Sequence, residues 1–365
     1  MKKLSLIMVL LGLLWSCANG QDGDTVRMDF ETYQPTSTLV VEENPVTQTK
    51  FPFVDIHSHH WRMATQDLDQ LIKEMDGLNM KVIVNLSGRG GEALVGMMEN
   101  IKKSGYENRI VLFTNISFNG IDDADWTENA VKQLEFDVAN GAKGLKIYKS
   151  LGMSVQDSSG KRIAVDDKRL DPIWAKCGEL GIPVLIHSAD PRPFWFPHDE
   201  KNERWLELKI NPRRKRYPNN PVAWETIIAE QHNVFRKHPG TTFINAHFGW
   251  LANDLKQLGE LMEEFPNMCV EVSANIAELG RQPRAALKFF EKYQDRILFG
   301  KDSYRIEEYF VYFRTLETED EYFDYGKYHA FWRIYGLGLP DEILKKVYYK
   351  NAVKIIPGLS LSLFE

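Results

Sequence analysis

The stretch FVDIHSHH, residues 53–60, is typical of a short buried strand that ends in two histidines, His57 and His59. Three later apolar runs end in a similar way: IPVLIHSAD contains His187, TTFINAHFG contains His247, and RILFGKDS contains Asp302. In an α/β barrel the carboxyl ends of the parallel strands converge on one face, where active sites lie. We therefore expect these five side chains to meet at one end of such a barrel.

The chain from Phe51 onward alternates apolar runs with amphipathic segments, a pattern typical of parallel strands joined by helices. An open doubly wound sheet is the alternative, but it would not bring the ends of strands one, five, six and eight around one centre. The sequence therefore predicts an α/β fold, a single-domain (β/α)8 TIM barrel over residues 51–365. The predicted strands are Phe51–His57, Lys81–Leu86, Ile110–Ile116, Ala142–Tyr148, Ile182–His187, Thr242–His247, Cys269–Ser273 and Arg296–Phe299.

Two long segments depart from a minimal barrel. Residues 188–220 follow the fifth strand and contain prolines and clustered aromatic residues, which indicates a structured loop over the catalytic face. Residues 304–335 follow the eighth strand and are rich in Tyr and Phe, so we expect them to pack against the barrel.

The N-terminus is predicted to be a targeting segment rather than part of the fold. Two lysines precede the apolar stretch Leu4–Leu14, which is too short to span a bilayer and is followed by Cys17. This pattern resembles a bacterial lipoprotein signal over residues 1–17, with ordinary signal cleavage as the alternative. Residues 18–50 are polar and aperiodic, so we expect them to tether an exported domain to the periplasmic or cell-surface side of a membrane.

The composition argues against some classes of protein. The formal net charge is −6, without a basic excess, which disfavours nucleic acid as a partner. The basic run at residues 213–216 has no aromatic stacking platform beside it, so a solvated loop or a contact to anionic lipid is favoured. Apart from Cys17 the chain contains Cys177, in a helix pattern, and Cys269, in a strand pattern, so a disulfide framework is not expected.

The residue types at the strand ends are those of a catalytic metal site. His57 and His59 are two residues apart on one strand, so both side chains are expected to point the same way and to reach one ion. Imidazole nitrogens suit zinc, which activates a bound water near neutral pH. His187 would add a ligand, and Asp302 a ligand that also takes the water's proton. His247 would be a ligand or a hydrogen-bond donor to the substrate, although a structural role is the simpler interpretation of any one histidine alone.

The chain resembles the amidohydrolase superfamily, specifically the branch that contains aminocarboxymuconate-semialdehyde decarboxylase. The resemblance spans residues 51–358 and rests on DIHSH, the strand-end His187 and His247, GKDS, and NAVKI after LPDEILKKV. It implies that His247 binds a second metal or acts on the substrate. It also implies a divalent metal, usually zinc, on His57, His59, His187 and Asp302. The chain departs from this pattern at Lys301, where a small or hydroxyl residue commonly precedes the aspartate.

The number of metal ions depends on the fourth strand, GAKGLKIYKS. Many members of the superfamily carry there a lysine whose carbamate bridges two metals, and Lys146 occupies the matching position. In the alternative, Lys146 stays an ammonium that pairs with a substrate carboxylate or with Asp302. One metal is the commoner pattern in the decarboxylase branch and is our expectation; in a two-metal site Lys146 and His247 would be ligands.

Several residues on predicted loops are candidates for substrate binding. Arg62 and Arg89 follow the first two strands and could hold a carboxylate through two hydrogen bonds, although functionless surface arginines are equally common. Lys149 follows the fourth strand, and Trp195 could cover a ring of the ligand. The expected partner is a small molecule, with a carboxylate as one option, and a homodimer is an open alternative.

Three functions are compatible with these residues. The leading hypothesis is metal-dependent hydrolysis of an amide or a lactone, in which Asp302 moves the proton. The second is non-oxidative decarboxylation of an unsaturated or aromatic acid, with Arg62 or Arg89 on the carboxylate. The third is a surface-anchored binding protein that kept the barrel, and the complete ligand set argues against it.

Overall fold

The structure is a computed structural model that describes residues 28–328 and 330–365. The chain divides into two units, Met1–Leu39 and Val40–Glu365. The described part of the first unit contains a short 3-10 helix, Phe30–Thr32, whereas the predicted lipoprotein signal at residues 1–17 lies outside the described residues. Among the described residues, no helix combines the length and the apolar character that crossing a bilayer requires.

The second unit begins before residue 51, the predicted start of the barrel. The backbone N–H and the side-chain amide of Asn44 each donate to Asp320 at 2.7 Å. Thr49 is buried, and its hydroxyl donates to the carbonyl of Leu78 at 3.2 Å. Residues 40–50, predicted as the end of the tether, therefore belong to the folded unit. The sequence did not indicate that these residues are folded, because a polar segment held by hydrogen bonds to distant residues has no periodic apolar pattern.

Parallel strands form the barrel and pair in chain order, with β3 interrupted at Phe113. The ring closes between the last strand and the first, where Ser58 and Asp302 form a parallel bridge and the N–H of Ile56 donates to the carbonyl of Phe299 at 3.1 Å. The predicted (β/α)8 fold is confirmed, and each predicted apolar run overlaps a strand. The strands are β1 (Phe53–Ser58), β2 (Met80–Asn85), β3 (Ile110–Leu112 and Thr114–Asn115), β4 (Leu145–Ile147), β5 (Val184–Ile186), β6 (Phe243–Asn245), β7 (Met268–Glu271) and β8 (Ile297–Leu298).

Helices connect the strands and cover the sheet. In the first of them, α1, Asp67 caps the start by accepting the N–H of Gln70, and Asn79 ends it with a φ of 66°. The helices are α1 (Leu68–Leu78), α2 (Glu92–Lys103), α3 (Trp126–Ala139), α4 (Asp171–Glu179), α5 (Trp205–Ile210), α6 (Trp224–Lys237), α7 (Leu255–Glu264), α8 (Ile276–Gly280), α9 (Pro283–Tyr293), α10 (Glu307–Glu317), α11 (Asp341–Lys345) and α12 (Asn351–Ile355).

The alternation of side chains along the strands separates the core from the site. Leu145 and Ile147 of β4 pack in the large apolar cluster that also contains the buried faces of the helices. Lys146 lies between them, so its side chain points to the other face of the strand, toward the barrel interior. Leu185 of β5 and Ile244 of β6 belong to a second apolar cluster, which fills the opposite face of these strands.

The two predicted insertions are structured. The one after β5 contains 3-10 helices at Arg192–Trp195 and Pro212–Arg214 in addition to α5. The one after β8 contains α10, whose Tyr309 and Phe313 pack on Phe53 at ring-centroid distances of 6.3 and 5.4 Å. The insertions contact each other, because the side-chain amide of Asn211 donates to the hydroxyl of Tyr328 at 3.1 Å.

Candidate metal centre and active-site cavity

His57 and His59 face the carboxylate of Asp302 where β1 meets β8. Their Nε2 atoms lie 3.7 and 3.5 Å from Asp302 Oδ1. These separations are too long for direct hydrogen bonds. However, ligands bonded at about 2.1 Å to one tetrahedral ion lie about 3.4 Å from each other. The three side chains are therefore spaced as ligands of a single metal ion, and their ligand atoms all lie within 4.8 Å of one another.

Strand alternation, which predicted this pairing, is not what produces it. The pairing of β1 with β2 is irregular between Asp55 and Ser58, and His59 lies beyond the end of the strand. Instead, the N–H of Asp302 donates to the carbonyl of His57 at 2.6 Å, and Asp302 has a φ of 76°. Backbone bonding between the ends of the first and last strands thus brings the carboxylate to both rings.

A buried carboxylate orients His57. Glu271, the last residue of β7, is fully buried, and its Oε1 accepts a hydrogen bond from His57 Nδ1 at 2.8 Å. Because an ionised carboxylate only accepts, Nδ1 carries the proton and Nε2 keeps a free lone pair. A carboxylate behind a ligating histidine is the usual device that fixes its orientation and raises its basicity.

A chain of hydrogen bonds orients His59 in the same way. The hydroxyl of Tyr148 donates to the carbonyl of Leu86 at 3.0 Å, so its oxygen can accept from Ser87 Oγ at 3.1 Å. Ser87 Oγ in turn accepts from His59 Nδ1 at 2.7 Å. This direction of donation leaves the lone pair of His59 on Nε2, which faces Asp302.

His247 and His187 form a second pair of rings beside His57. Ser273 Oγ donates to Glu271 at 2.7 Å and accepts from His247 Nδ1 at 2.7 Å. His247 Nε2 lies 3.3 Å from His187 Nδ1, and in the described part of the chain the buried His187 Nε2 has no hydrogen-bond partner. An unpaired buried nitrogen is costly unless a ligand occupies it, so a metal ion fits this atom. His57, His59 and Asp302 therefore form one candidate ligand group, and His187 lies beside it through its contact with His247.

A strained turn after β6 places His247. Residues 247–250 all have φ values between 51° and 59°, a left-handed conformation that costs roughly 1–2 kcal/mol for each non-glycine residue. Glu271 Oε1 stabilises the turn by accepting the N–H of His247 at 2.8 Å. A Cβ atom on Gly249 would lie 2.5 Å from the side-chain amide of Asn245, so this position requires glycine.

Burial keeps the imidazoles uncharged. It lowers the pKa of His57 and of His187 well below the ordinary value, and it lowers the pKa of His59 to about 4. A neutral imidazole with a free Nε2 is the form that binds a metal ion. Three imidazoles and one carboxylate are a donor set that suits zinc and similar divalent ions. The residues at the centre therefore fit a divalent metal.

Lys146 is buried against the same centre. Its Nζ lies 3.5 Å from His57 Nε2 and 5.5 Å from the ring centroid of Tyr148. Burial lowers the pKa of Lys146 to about 8, so its neutral amine is more accessible near neutral pH than that of an exposed lysine. A neutral amine is the form that takes up carbon dioxide to give a carbamate. The side chain is therefore compatible with both predicted roles, carbamate ligand and ammonium.

Lys301, where the chain departs from the resemblance, has its own partner. Its Nζ lies 2.7 Å from Glu308, and the rings of Tyr309 and Tyr312 lie 5.6 and 5.2 Å from it. Glu308 therefore compensates its charge, and Asp302 stays directed at the histidines.

A cavity of about 620 Å³ opens onto the metal centre. His187, His247 and Asp302 line it, and so does Trp250, whose indole ring stacks on His247 at a centroid distance of 4.5 Å. Lys149, predicted to bind substrate, is also part of the lining. The cavity thus exposes His187, His247 and Asp302 to a molecule that enters it, whereas His57 and His59 lie behind this lining.

The structure places the other predicted substrate-binding residues elsewhere. Arg62 and Arg89 are exposed and are not among the described residues that line the cavity. Trp195 is buried, and its indole N–H donates to the carbonyl of Val222 at 2.8 Å. Trp195 is therefore a packing residue of the insertion, in correction of its expected role as a cover, and Phe194 lines the cavity instead.

Sequence reasoning did not predict the orienting role of the residues behind the ligands. Glu271 ends the apolar run of β7 in the same way as the predicted ligands end theirs, and this signal could have identified it. Ser273 follows it closely and carries the weaker signal of a hydroxyl next to a strand-end acid. Ser87 follows β2 without a pattern that distinguishes it from an ordinary loop serine.

Solved structures share the fold at low sequence identity. A TIM-barrel protein from Bordetella bronchiseptica is 15% identical, with a TM-score of 0.52 over 83% of this chain and 98% of that one. A 2,6-dihydroxybenzoate decarboxylase in complex with 2,6-dihydroxybenzoate is also 15% identical, with a TM-score of 0.52 over 84% of this chain and 99% of that one. At this level of identity the likeness concerns the fold alone.

The sequence match is to a family rather than to an individual protein. No curated protein matches the chain significantly. The family model Amidohydro_2, described as amidohydrolase, matches residues 117–357, which is more than half of the chain and includes His187, His247 and Asp302. This match, together with the barrel and the residues at its strand ends, shows that the chain belongs to the amidohydrolase family.

Proposed function

We propose that the protein hydrolyses a C–N or C–O bond, in an amide or a lactone, with a metal-activated water. The observation that carries the proposal is the approach of Asp302 Oδ1 to the Nε2 atoms of His57 and His59, at 3.7 and 3.5 Å, with Asp302 itself lining a cavity. This spacing leaves a carboxylate in reach of both a metal ion and a reacting molecule.

His57, His59, His187 and Asp302 would hold the metal. A divalent ion held by these residues would lower the pKa of a water toward about 7 and would act as a Lewis acid on a carbonyl. Glu271 holds His57 through Nδ1, and Ser87 holds His59 in the same way, so both rings are oriented before the ion binds. Such preorganisation reduces the rearrangement needed during the reaction.

Asp302 and His247 would move the protons. The Asp302 side chain is 40% exposed, so its carboxylate is accessible to an attacking water from the cavity. Burial lowers the pKa of His247, so this ring is neutral near pH 7 and can accept a proton and return it to the leaving group. A carboxylate and an imidazole on one wall thereby supply the acid–base groups that hydrolysis requires.

Decarboxylation of an unsaturated or aromatic acid is the second candidate. The observation in its favour is Lys146, a buried amine 3.5 Å from His57 Nε2, because its ammonium form could hold a carboxylate beside the metal. Arg62 and Arg89, expected to serve the carboxylate in this reaction, are exposed and outside the cavity lining.

The test uses the full chain before and after removal of metal by a chelator. We expect turnover of members of a lactone and amide panel, loss of it on chelation, recovery with zinc, and a fall in kcat of about 10²–10⁴-fold in Asp302→Asn. Release of carbon dioxide from aromatic acids, without lactone or amide turnover, would establish the lyase instead. An Asp302→Asn variant as active as the parent would contradict both reactions.

We further propose that the chain is exported and anchored to a membrane by lipid at Cys17. The support is the sequence pattern of residues 1–17 and the polar segment that follows it. Labelling of cells with a radioactive fatty acid should mark the protein, and Cys17→Ser should abolish the label. A labelled Cys17→Ser variant would disprove the assignment of the lipidated residue.

A further inference from the structure

Charged side chains of the cavity lining are not balanced. Asp190 forms a short ion pair with Lys149 and a second one, at 3.2 Å, with Arg216. The carboxylate is nearly buried, with 4% of its side chain exposed, whereas 39% of the Lys149 side chain is exposed. The single negative charge of Asp190 thus faces two cations. This part of the wall therefore keeps a positive charge that Asp190 does not neutralise.

The same arrangement recurs in the insertion after β8. Glu308 lies 2.7 Å from Lys301 and 2.5 Å from Lys327. Lys301 is nearly inaccessible, with 1% of its side chain exposed, and acts as the internal partner of Glu308. Lys327 keeps 24% of its side chain exposed toward the cavity that it lines. It is therefore the member of this group that an entering molecule can reach.

Arg305 adds a third positive charge to the lining. It is exposed, and no carboxylate of the described residues forms an ion pair with it. It follows Asp302 by three residues in the chain, so the metal centre and this guanidinium belong to one short segment that borders the cavity. A guanidinium offers a planar pair of N–H groups that matches the two oxygens of a carboxylate.

A neighbouring ionic network between the first insertion and the segment around α8 is balanced. Its arginines and glutamates are equal in number, each with a partner of opposite charge, and they join the two segments. They are Arg204, Arg214, Arg281, Glu203, Glu207 and Glu278. The surplus is therefore confined to the groups around Lys149, Lys327 and Arg305.

We infer that the substrate carries a carboxylate remote from the bond that reacts, and that Arg305 and Lys327 bind it. The inference rests on the proposed function, since it assumes that the reacting group enters the same cavity. The chain as a whole has a net charge of −6, so a local surplus of cations in a concave site is not a reflection of overall composition. An entering anion would compensate these cations, and the field of the cavity would favour its entry.

Binding of non-reacting acids tests the inference without turnover. The probes are succinate, glutarate and adipate, each compared with the monocarboxylate of the same chain length, and their affinities for the zinc-supplemented full chain are measured by calorimetry. We expect at least one dicarboxylate to bind more tightly than its monocarboxylate. Arg305→Gln and Lys327→Gln should each weaken that dicarboxylate by about fivefold and leave the monocarboxylate unchanged.

Control variants and a competing anion separate the outcomes. Arg284→Gln removes an exposed arginine that lies outside this cavity and should change nothing. Loss of the dicarboxylate preference in Lys149→Gln, but not in Arg305→Gln or Lys327→Gln, would overturn the assignment of the binding residues. Inorganic phosphate that binds as tightly as the best dicarboxylate, and equally through Arg305, would overturn the carboxylate class. A retained dicarboxylate preference in a protein that hydrolyses neither lactones nor amides would instead refute only the proposed function.

Discussion

The Nδ1 atom of His57 lies 2.8 Å from Oε1 of Glu271, and both side chains are buried. The same carboxylate accepts the N–H of His247 at 2.8 Å and the N–H of Ser273 at 2.6 Å. One acid therefore orients the first candidate metal ligand and fixes the backbone of a residue on the other side of the centre. The position of this acid should control metal affinity although it is not itself among the proposed ligands.

Glu271→Gln should weaken zinc binding by about 10–100-fold. Glutamine keeps the size of the side chain, but its N–H group would face the donors that bond to the carboxylate oxygens of Glu271 in the parent. Competition with a coloured chelator measures the change. Asp137→Asn, which alters a buried carboxylate that bonds to Thr114 and the N–H of Gly91, is the matched control and should leave zinc affinity unchanged. Equal affinities of Glu271→Gln and the parent would contradict the orienting role.

Gly249→Ala should lower activity and destabilise the fold. The residue has a φ of 59°, and its new Cβ would press on the amide of Asn245, so we expect a loss of roughly 1–3 kcal/mol in the free energy of unfolding. His247 lies in the same turn, so kcat should fall further than stability alone explains. Gly96→Ala is the control: Gly96 lies inside α2 with open space around it, and alanine there should stabilise by about 0.5–1 kcal/mol. Unchanged stability and kcat in Gly249→Ala would refute the strain argument.

Metal analysis of the purified protein should find about one equivalent of zinc, as in a mononuclear catalytic site. In that case Lys146 is an ammonium, and Lys146→Met should keep the bound metal, while added bicarbonate should change neither metal content nor activity. Two equivalents that fall to one in Lys146→Met and rise with bicarbonate would establish a carbamate bridge instead.

Acid should destabilise the metal-free protein through His232, a partly buried histidine outside the centre. Burial among Phe235, Phe265 and their neighbours lowers the pKa of His232 to about 4, against about 6.5 in the unfolded chain. Between these values the unfolded chain binds the extra proton, so the free energy of unfolding falls as the pH drops from about 6.5 toward 4. The contribution of this residue should be about 1–3 kcal/mol. His232→Asn should flatten the pH dependence of urea unfolding, and a slope equal to that of the parent would exclude His232; the values at pH above 7 report the packing change alone.

The barrel was predictable because its strands leave a local signal. Each apolar run is short and is followed by a helical period, so the strand ends could be located without knowledge of their partners. His187, His247 and Asp302 followed from that placement alone. The family match over residues 117–357 and the shared fold of solved structures agree with it.

The remaining features depend on contacts that a sequence does not display. The backbone bond from Asp302 to the carbonyl of His57 brings the carboxylate to the first strand, and this contact joins segments that are far apart in the chain. Trp195 was expected from its residue type to cover a ligand, yet the fold of the insertion buries it. Arg305 and Lys327 come together with the centre only because the insertion after β8 packs on the barrel, and no local pattern distinguishes them from other surface cations.

The hydrogen bond between Asn211 and Tyr328 joins the insertion after β5 to the insertion after β8. The candidate metal ligands all come from the barrel, whereas the surplus cations of the wall come largely from these insertions. The residues that would bind the metal and the residues that would select the ligand therefore lie on different segments of the chain, which is an advantage for redesign. Exchanging both insertions together for those of another barrel should change the ligand specificity and keep the candidate metal ligands. Exchanging either insertion alone would break the contact between them.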